Sequence, residues 1–304
     1  MFEIENGVLK KCHIVDSSSV EIPDSVTEIG NGAFDGCTSL TNIIIPNSVT
    51  EIGYGAFEDC TSLTNITIPE SVTYIGNCAF ENCTLLTSIT IPDSVTEIGG
   101  WVFKGCTLLK SITIPDSVTE TGNWYFYGCK SLKRITISNS VNRIGDGAFA
   151  DCASLKSITI PDGVTEIGDW SFSGCKSLKR ITIPNRVTEI GKFAFEDCTS
   201  LTSVTIPDSV TKIGGSAFSN CTLLSNIEIR GIVTEKSCVH SFLLSMIEQI
   251  PSVSKTLYKN NLLTKQIANI AMESAIKNDD TETVALLLQF FSQHLDAPDS
   301  QMIL

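Results

Sequence analysis

Apolar and polar positions repeat along this chain every 23 residues. In the stretch from Pro46 to Ile68 the order is proline, a polar pair, Val49-Thr50-Glu51-Ile52, Gly53, two variable residues, Ala56-Phe57, a turn ending at Cys60, and Leu63-x-x-Ile66-x-Ile68. Ile66 and Ile68 alternate with Asn65 and Thr67, which predicts a short strand with one buried face. Pro46 and Pro69 close it, because proline cannot continue a ladder. Val49 and Ile52 predict a second short extended piece. Gly53 permits a turn, and Gly36, Asp59 and Asn82, each just before a cysteine, are residue types that tolerate left-handed backbone. Each unit is too short to hold a long helix as well.

Nine such units run from Pro23 to Ile229 without an insertion, carrying Cys37 to Cys221, Phe34 to Phe218 and Leu40 to Leu224 in fixed phase. A period in this range means a solenoid, in which each coil buries its apolar face against its neighbours and cannot do so alone. The chain therefore divides into an N-terminal cap over 1–22, a solenoid over 23–235 with nine units and a partial one, and a helical C-terminal module over 236–304. In the cap, Phe2, Ile4, Val8 and Leu9 flank Asn6-Gly7, a hairpin signal, and Val20-Glu21-Ile22 supplies a first strand.

Beyond Glu235 the rhythm changes to a helical one. Val239, Phe242, Leu243, Met246, Ile247 and Ile250 fall on one face of a helix stopped by Pro251. Leu263, Ile267, Ile270 and Ala271 begin a second helix that continues to about Ile276. Asp279-Asp280 caps a third, with Val284, Leu287, Leu288, Phe291 and Leu295 along it.

The string Ile-Pro-x-Ser-Val-Thr-x-Ile-Gly-x-x-Ala-Phe-x-x-Cys-x-x-Leu, seen from Ile91 to Leu109 with Val102 in place of alanine, resembles the BspA-like class of leucine-rich repeats. The resemblance covers about residues 1–235. It implies a β-rich leucine-rich-repeat solenoid of parallel short strands, one or two per coil, followed by an α-helical C-terminal segment. It also implies a binding or adhesion scaffold of the surface-antigen type, and hence a cell-surface or secreted setting.

Other features narrow the chemistry. The net charge of −13 argues against nucleic acid as a partner. No apolar run reaches the ~18 residues needed to span a bilayer, so no membrane insertion is expected. The first twenty residues do not read as a secretory signal, so the chain as written is expected to be cytoplasmic. The nine in-phase cysteines read as small buried hydrophobes rather than disulfides or metal ligands. His13, His240 and His294 all lie outside the nine repeats. No metal site, cofactor or catalytic constellation is expected, and the chain is read as a non-enzyme.

Positions that vary between otherwise identical coils are not needed to build a coil, so function is sought there. From Cys12 to Phe103 there are twelve acids and no Lys or Arg, whereas Lys104 to Lys192 carries twelve bases against eight acids. Lys110, Lys133, Lys156 and Lys179 share one column at the strand start, with Arg134 and Arg180 beside it. Trp101, Trp124 and Trp170 share another register, followed by Phe193. These nine residues, the six cations and three tryptophans, are the candidate partner-binding set. They favour a protein partner of acidic character, with a glycan as a second class of ligand. Two alternatives stand beside this reading. A ladder of outward threonines from Thr67 to Thr205 suits ice or another ordered surface, and Cys238 with His240 suits an enzyme site where solenoid meets tail.

Overall fold

A computed structural model of the chain describes residues 2–13, 18–229, 265–277 and 281–294. Its first element is an antiparallel hairpin, β1 (Phe2–Glu5) and β2 (Val8–Cys12), turning at Asn6 and Gly7, with φ of 50° and 80°. Val8 and Leu9 of β2 then pair in parallel with Glu28 and Ile29, so the hairpin lies across the open end of the first coil.

Each coil has three sides. The first is a short strand whose inward residues are isoleucines, as in Asn42–Ile44, Asn65–Thr67 and Ser88–Thr90. Six of these strands, from Ser19–Glu21 to Arg134–Ile137, form one parallel sheet, and Arg180–Thr182, Ser203–Ile206 and Asn226–Ile229 form another. Equivalent residues pair in register, Ile66 with Ile89 and Thr113 with Thr136, which is what a 23-residue repeat without insertions requires. The second side is a two-residue strand on the Val-x-x-Ile segment, as in Glu51–Ile52. It forms a ladder interrupted between Glu97–Ile98 and Glu120–Thr121.

The third side is a run of tight turns. Its backbone N–H groups donate to the following coil, Phe34 to Ala56 and Phe57 to Ala79, both at 2.8 Å. Two residues of every coil are left-handed there. The first column runs from Gly32 through Gly55, Cys78, Trp101, Trp124, Gly147, Trp170 and Phe193 to Ser216; the second, just before the cysteines, runs from Gly36 and Asp59 to Asn220.

The core is a set of parallel files. Phe34 to Phe218 stack with ring centroids 4.9–5.6 Å apart and planes within 20° of parallel. Each ring thereby covers the faces of its neighbours, the reason one coil could not stand alone. The cysteines run beside them, and all eleven in the described residues are free thiols. From Cys60 to Cys221 each thiol of the 23-residue column donates to the carbonyl of the phenylalanine 26 residues before it, as Cys106 does to Phe80 at 3.2 Å. The expectation of a buried hydrophobe therefore holds for these cysteines, and the structure adds a donor role.

At the C-terminal end α1 (Lys265–Lys277) and α2 (Thr281–His294) pack on each other, with Ala268, Ala271 and Leu287 buried. They correspond to the second and third helices expected from the sequence. The helix expected around Val239 to Ile250 and the Asp279-Asp280 cap lie outside the described residues. No helix among the described residues is long and apolar enough to cross a membrane.

Candidate functional site

The strand side of each coil begins at the cysteine and ends at the proline, or at Ser138 in the one described coil that lacks it. From Cys37 onward it contains no acidic residue until Glu228, although the whole chain carries −13. It does carry Lys110, Lys130, Lys133, Arg134, Lys156, Lys176, Lys179 and Arg180, all exposed. Charge is thus segregated by side. The carboxylates belong to the second ladder, to the turn side and to the turn just past the proline, where Glu70, Asp93, Asp116, Asp162 and Asp208 stand exposed along one border of the strand side. Summing charge along the chain understates this, because it adds acids from two sides to bases from a third.

The cations stand in rows set by the backbone. The Lys133 N–H donates to the Lys110 carbonyl at 3.0 Å, and that of Lys179 to Lys156 at 3.3 Å. Arg134 pairs in register with Ser111, and Arg180 with Ser203. Parallel neighbours lie about 4.8 Å apart, so the lysine column from Lys110 to Lys179 spans roughly 14 Å. Among the described residues none of these eight cations is in an ion pair. The pairs that form are His13 with Glu3, Lys104 with Glu81, Arg143 with Asp146 and Glu166, and Lys212 with Glu189, all off this side. Stacking like charges without partners costs a little stability at each rung, and the first ladder is interrupted at residues 157–160, inside this column.

Lys130 and Lys176 are members of the basic strip that the sequence reading left out. Their signal was present: Cys-Lys-Ser-Leu-Lys-Arg-Ile-Thr-Ile occurs identically at 129–137 and 175–183. Each copy places a fork of three cations on the strand side, and the forks are two coils apart.

The tryptophans belong to the turn side. Trp101, Trp124 and Trp170 have φ of 55°, 59° and 53°, a region that favours glycine, and glycine fills the same position at 32, 55 and 147. Trp124 reaches over Gly147 to Trp170, with ring centroids 6.3 Å apart, and Trp170 stacks on Phe193 at 5.4 Å. Tyr127 meets Trp124 edge-on at 5.5 Å. These rings cover one another's faces and form a ledge. Trp101 and Trp170 remain 41% and 37% exposed. The structure therefore separates the nine candidates into two groups by side, six cations on the strands and three indoles on the turns.

The threonine ladder lies on the strand side too, in register from Thr67 to Thr90 and from Thr113 to Thr136. Cys238 and His240 lie outside the described residues. Burial pushes the core thiols far above their ordinary range, Cys221 to about 12, so they stay protonated and unreactive at neutral pH. Among the described residues no group of His, Cys, Asp and Glu is arranged to hold a metal ion.

Stacked 23-residue coils with Leu-x-x-Ile-x-Ile strands on one side define a leucine-rich-repeat solenoid. The model of the BspA type leucine-rich repeat region (6 copies) matches residues 3–133 and 119–242, and the chain belongs to this family. It is similar to a leucine-rich repeat protein from Bacteroides ovatus, with 36% identity over 73% of this chain and a TM-score of 0.67; the chain spans 58% of that protein's length. A leucine-rich cell surface protein from Faecalibacterium prausnitzii is 33% identical over 70% of this chain and 79% of its own, with a TM-score of 0.42. The T. pallidum leucine-rich repeat protein is 27% identical over 71% of this chain and 82% of its own, with a TM-score of 0.46. The comparison with curated proteins gave no match.

Proposed function

We propose that this chain is a non-enzymatic binding scaffold that mediates protein–protein interaction or adhesion through the outer surface of its coils, at a cell surface or outside the cell. The observation that carries the reading is the exclusion of every carboxylate from the strand side of coils that hold eight exposed cations without ion-pair partners. A protein that only needed solubility would gain nothing from sorting its charges by side. A strip of one sign attracts a partner of the other, raises the rate of encounter and fixes its orientation. The aromatic ledge on the turn side supplies apolar anchors of the kind that dominate protein interfaces. The match to the BspA type leucine-rich repeat family is in keeping with a binding scaffold.

Affinity capture tests the reading. The intact chain is compared with a variant carrying Lys133→Ser, Arg134→Ser, Lys179→Ser and Arg180→Ser, and with a control carrying Arg186→Ser and Lys192→Ser, exposed cations off the strand side. The reading expects partner capture to be lost in the first and kept in the second, with thermal stability unchanged in both. Equal capture by all three would remove the basic strip from the account.

A further inference from the structure

We propose that the basic strip takes a linear acidic polysaccharide, a single sugar chain bearing sulfate or carboxylate groups along its length. This rests on the reading of the strand side as a binding surface and names the chemistry of its partner.

Four features point to such a chain rather than to an acidic protein face. First, the strand side from Cys129 to Pro207 exposes no large apolar side chain; on the strand side of other coils Ile44, Leu85, Leu108 and Leu223 are exposed, Leu108 in the Lys110 coil at the edge of the strip, and Trp101 and Trp170 stand on the turn side. Protein interfaces are built around aromatic and aliphatic anchors and are depleted in lysine, so of the two forms of that reading, protein contact and adhesion, the composition here favours adhesion to a sugar chain. Second, the strip is narrow. Lys130 sits in the tight turn closed by the Leu132 N–H on the Cys129 carbonyl at 3.0 Å, Lys133 and Arg134 enter the strand directly after it, and the exposed carboxylates of Asp116 and Asp162 run along one border. A broad anionic surface would be repelled at that border, whereas a single chain lying along the coils would not.

Third, the positive groups repeat. The two forks are about 10 Å apart, two rungs of the stack, with Lys156 on the rung between. A ligand whose own charges recur along its length engages several forks at once, and each further contact is intramolecular. Fourth, hydroxyls fill the gaps between cations. Ser111, Thr136, Ser157 and Thr159 are exposed on this side and offer both donors and acceptors, the complement of a polyhydroxylated ligand. Single-stranded nucleic acid would want exposed rings for base stacking, and the strand side of these coils has none.

The test uses the whole chain and three probes of matched length and charge: a sulfated glycosaminoglycan oligosaccharide, an oligogalacturonate and an oligoglutamate peptide. A single-stranded oligonucleotide serves as a fourth. The proposal expects both sugars to bind at least tenfold tighter than the peptide or the oligonucleotide. It also expects sugar binding to weaken at least tenfold in the Lys133→Ser/Lys179→Ser variant, but less than twofold in the Arg186→Ser/Lys192→Ser control, which removes the same charge. Binding of only one of the two sugars identifies sulfate or carboxylate as the recognised group, provided the variant weakens it as stated. Equal or tighter binding of the peptide or oligonucleotide would overturn the proposal while leaving an acidic partner on this side. Sugar binding that is absent, or unchanged in the first variant, would overturn it too; partner capture then decides the broader reading separately. Unchanged melting temperatures in both variants show that the fold is intact.

Discussion

The hydroxyl of Tyr125 donates to the main-chain carbonyl of Ile98 at 2.6 Å, in the middle of the solenoid. In other coils that carbonyl position accepts from a glycine N–H, as Ile75 does from Gly99 and Ile144 from Gly168. Here the Gly122 N–H faces the tyrosine oxygen instead, so the hydroxyl is inserted into the rung. Tyr125 stands where most coils have alanine, and Thr121 stands where most have isoleucine. Thr121 is smaller than the isoleucine it replaces, and its Oγ1 accepts from the Gly145 N–H at 3.0 Å. The second ladder is interrupted at this coil.

Two residues that compensate each other should show coupled energetics. Tyr125→Phe leaves the Ile98 carbonyl buried without its hydroxyl partner and should cost about 1–3 kcal/mol. Tyr125→Ala alone should cost about 3–5 kcal/mol through the cavity it opens. Thr121→Ile with Tyr125→Ala rebuilds the ordinary coil and should recover most of that loss. Urea unfolding of these three variants and of Thr121→Ile alone measures this, and additive single and double effects would contradict the compensation.

The thiol file gives a pH prediction with a definite sign. Burial raises the folded pKa of Cys60, Cys83, Cys106, Cys129, Cys152, Cys175, Cys198 and Cys221 above the unfolded value. A raised acid stabilises the fold below its unfolded pKa and loses that contribution as pH climbs. Each thiol therefore withdraws about 1.4 kcal/mol per pH unit above roughly pH 9, and eight together make alkaline unfolding steep. Cys106→Ser should shallow the pH dependence of the melting temperature between pH 9 and 11, while Phe80 keeps a hydroxyl donor in place of the thiol.

Glu58 points the same way at lower pH. Burial, then the neighbouring Glu81, Asp35 and Asp59 carboxylates, raise its pKa. Its ionisation thus opposes folding as pH rises through the carboxylate range. Glu58→Gln should melt higher than the parent at pH 7, and the difference should vanish by about pH 4, where the glutamate is protonated.

Position and burial separate the buried ring file from the aromatic ledge. Phe172 is fully buried in the ring file, and Phe172→Ala should cost about 3–5 kcal/mol. Trp170→Gly loses the stacking on Phe193 and Trp124 but relieves a left-handed tryptophan, so these opposed effects should leave stability within about 1 kcal/mol of the parent. A large loss at Trp170 would make the ledge a structural element.

Much of this architecture was legible because the repeat carries no insertions: one unit, Pro46 to Ile68, contains the strand, the short second strand, the turn and the core positions of all nine. Asp59 and Asn82 before their cysteines announced a left-handed turn. The first left-handed column was hidden, because tryptophan, cysteine, phenylalanine and serine share it with glycine and only the backbone reveals the common conformation. The cysteines looked like small apolar filler, since a thiol's donor role depends on a carbonyl 26 residues away. The basic column was visible, but its isolation from acids was not. That requires knowing which residues share a side, and a chain-wise sum cannot supply it.

Hydrogen–deuterium exchange of the chain, free and with its bound partner, tests the central claim most directly. The account expects the partner to slow exchange at residues 130–136 and 176–182 on the strand side, leaving the second ladder at residues 51–52 and 97–98 unchanged. Protection confined to the second ladder or the acidic turns, with the two cationic forks exchanging as in the free chain, would contradict it.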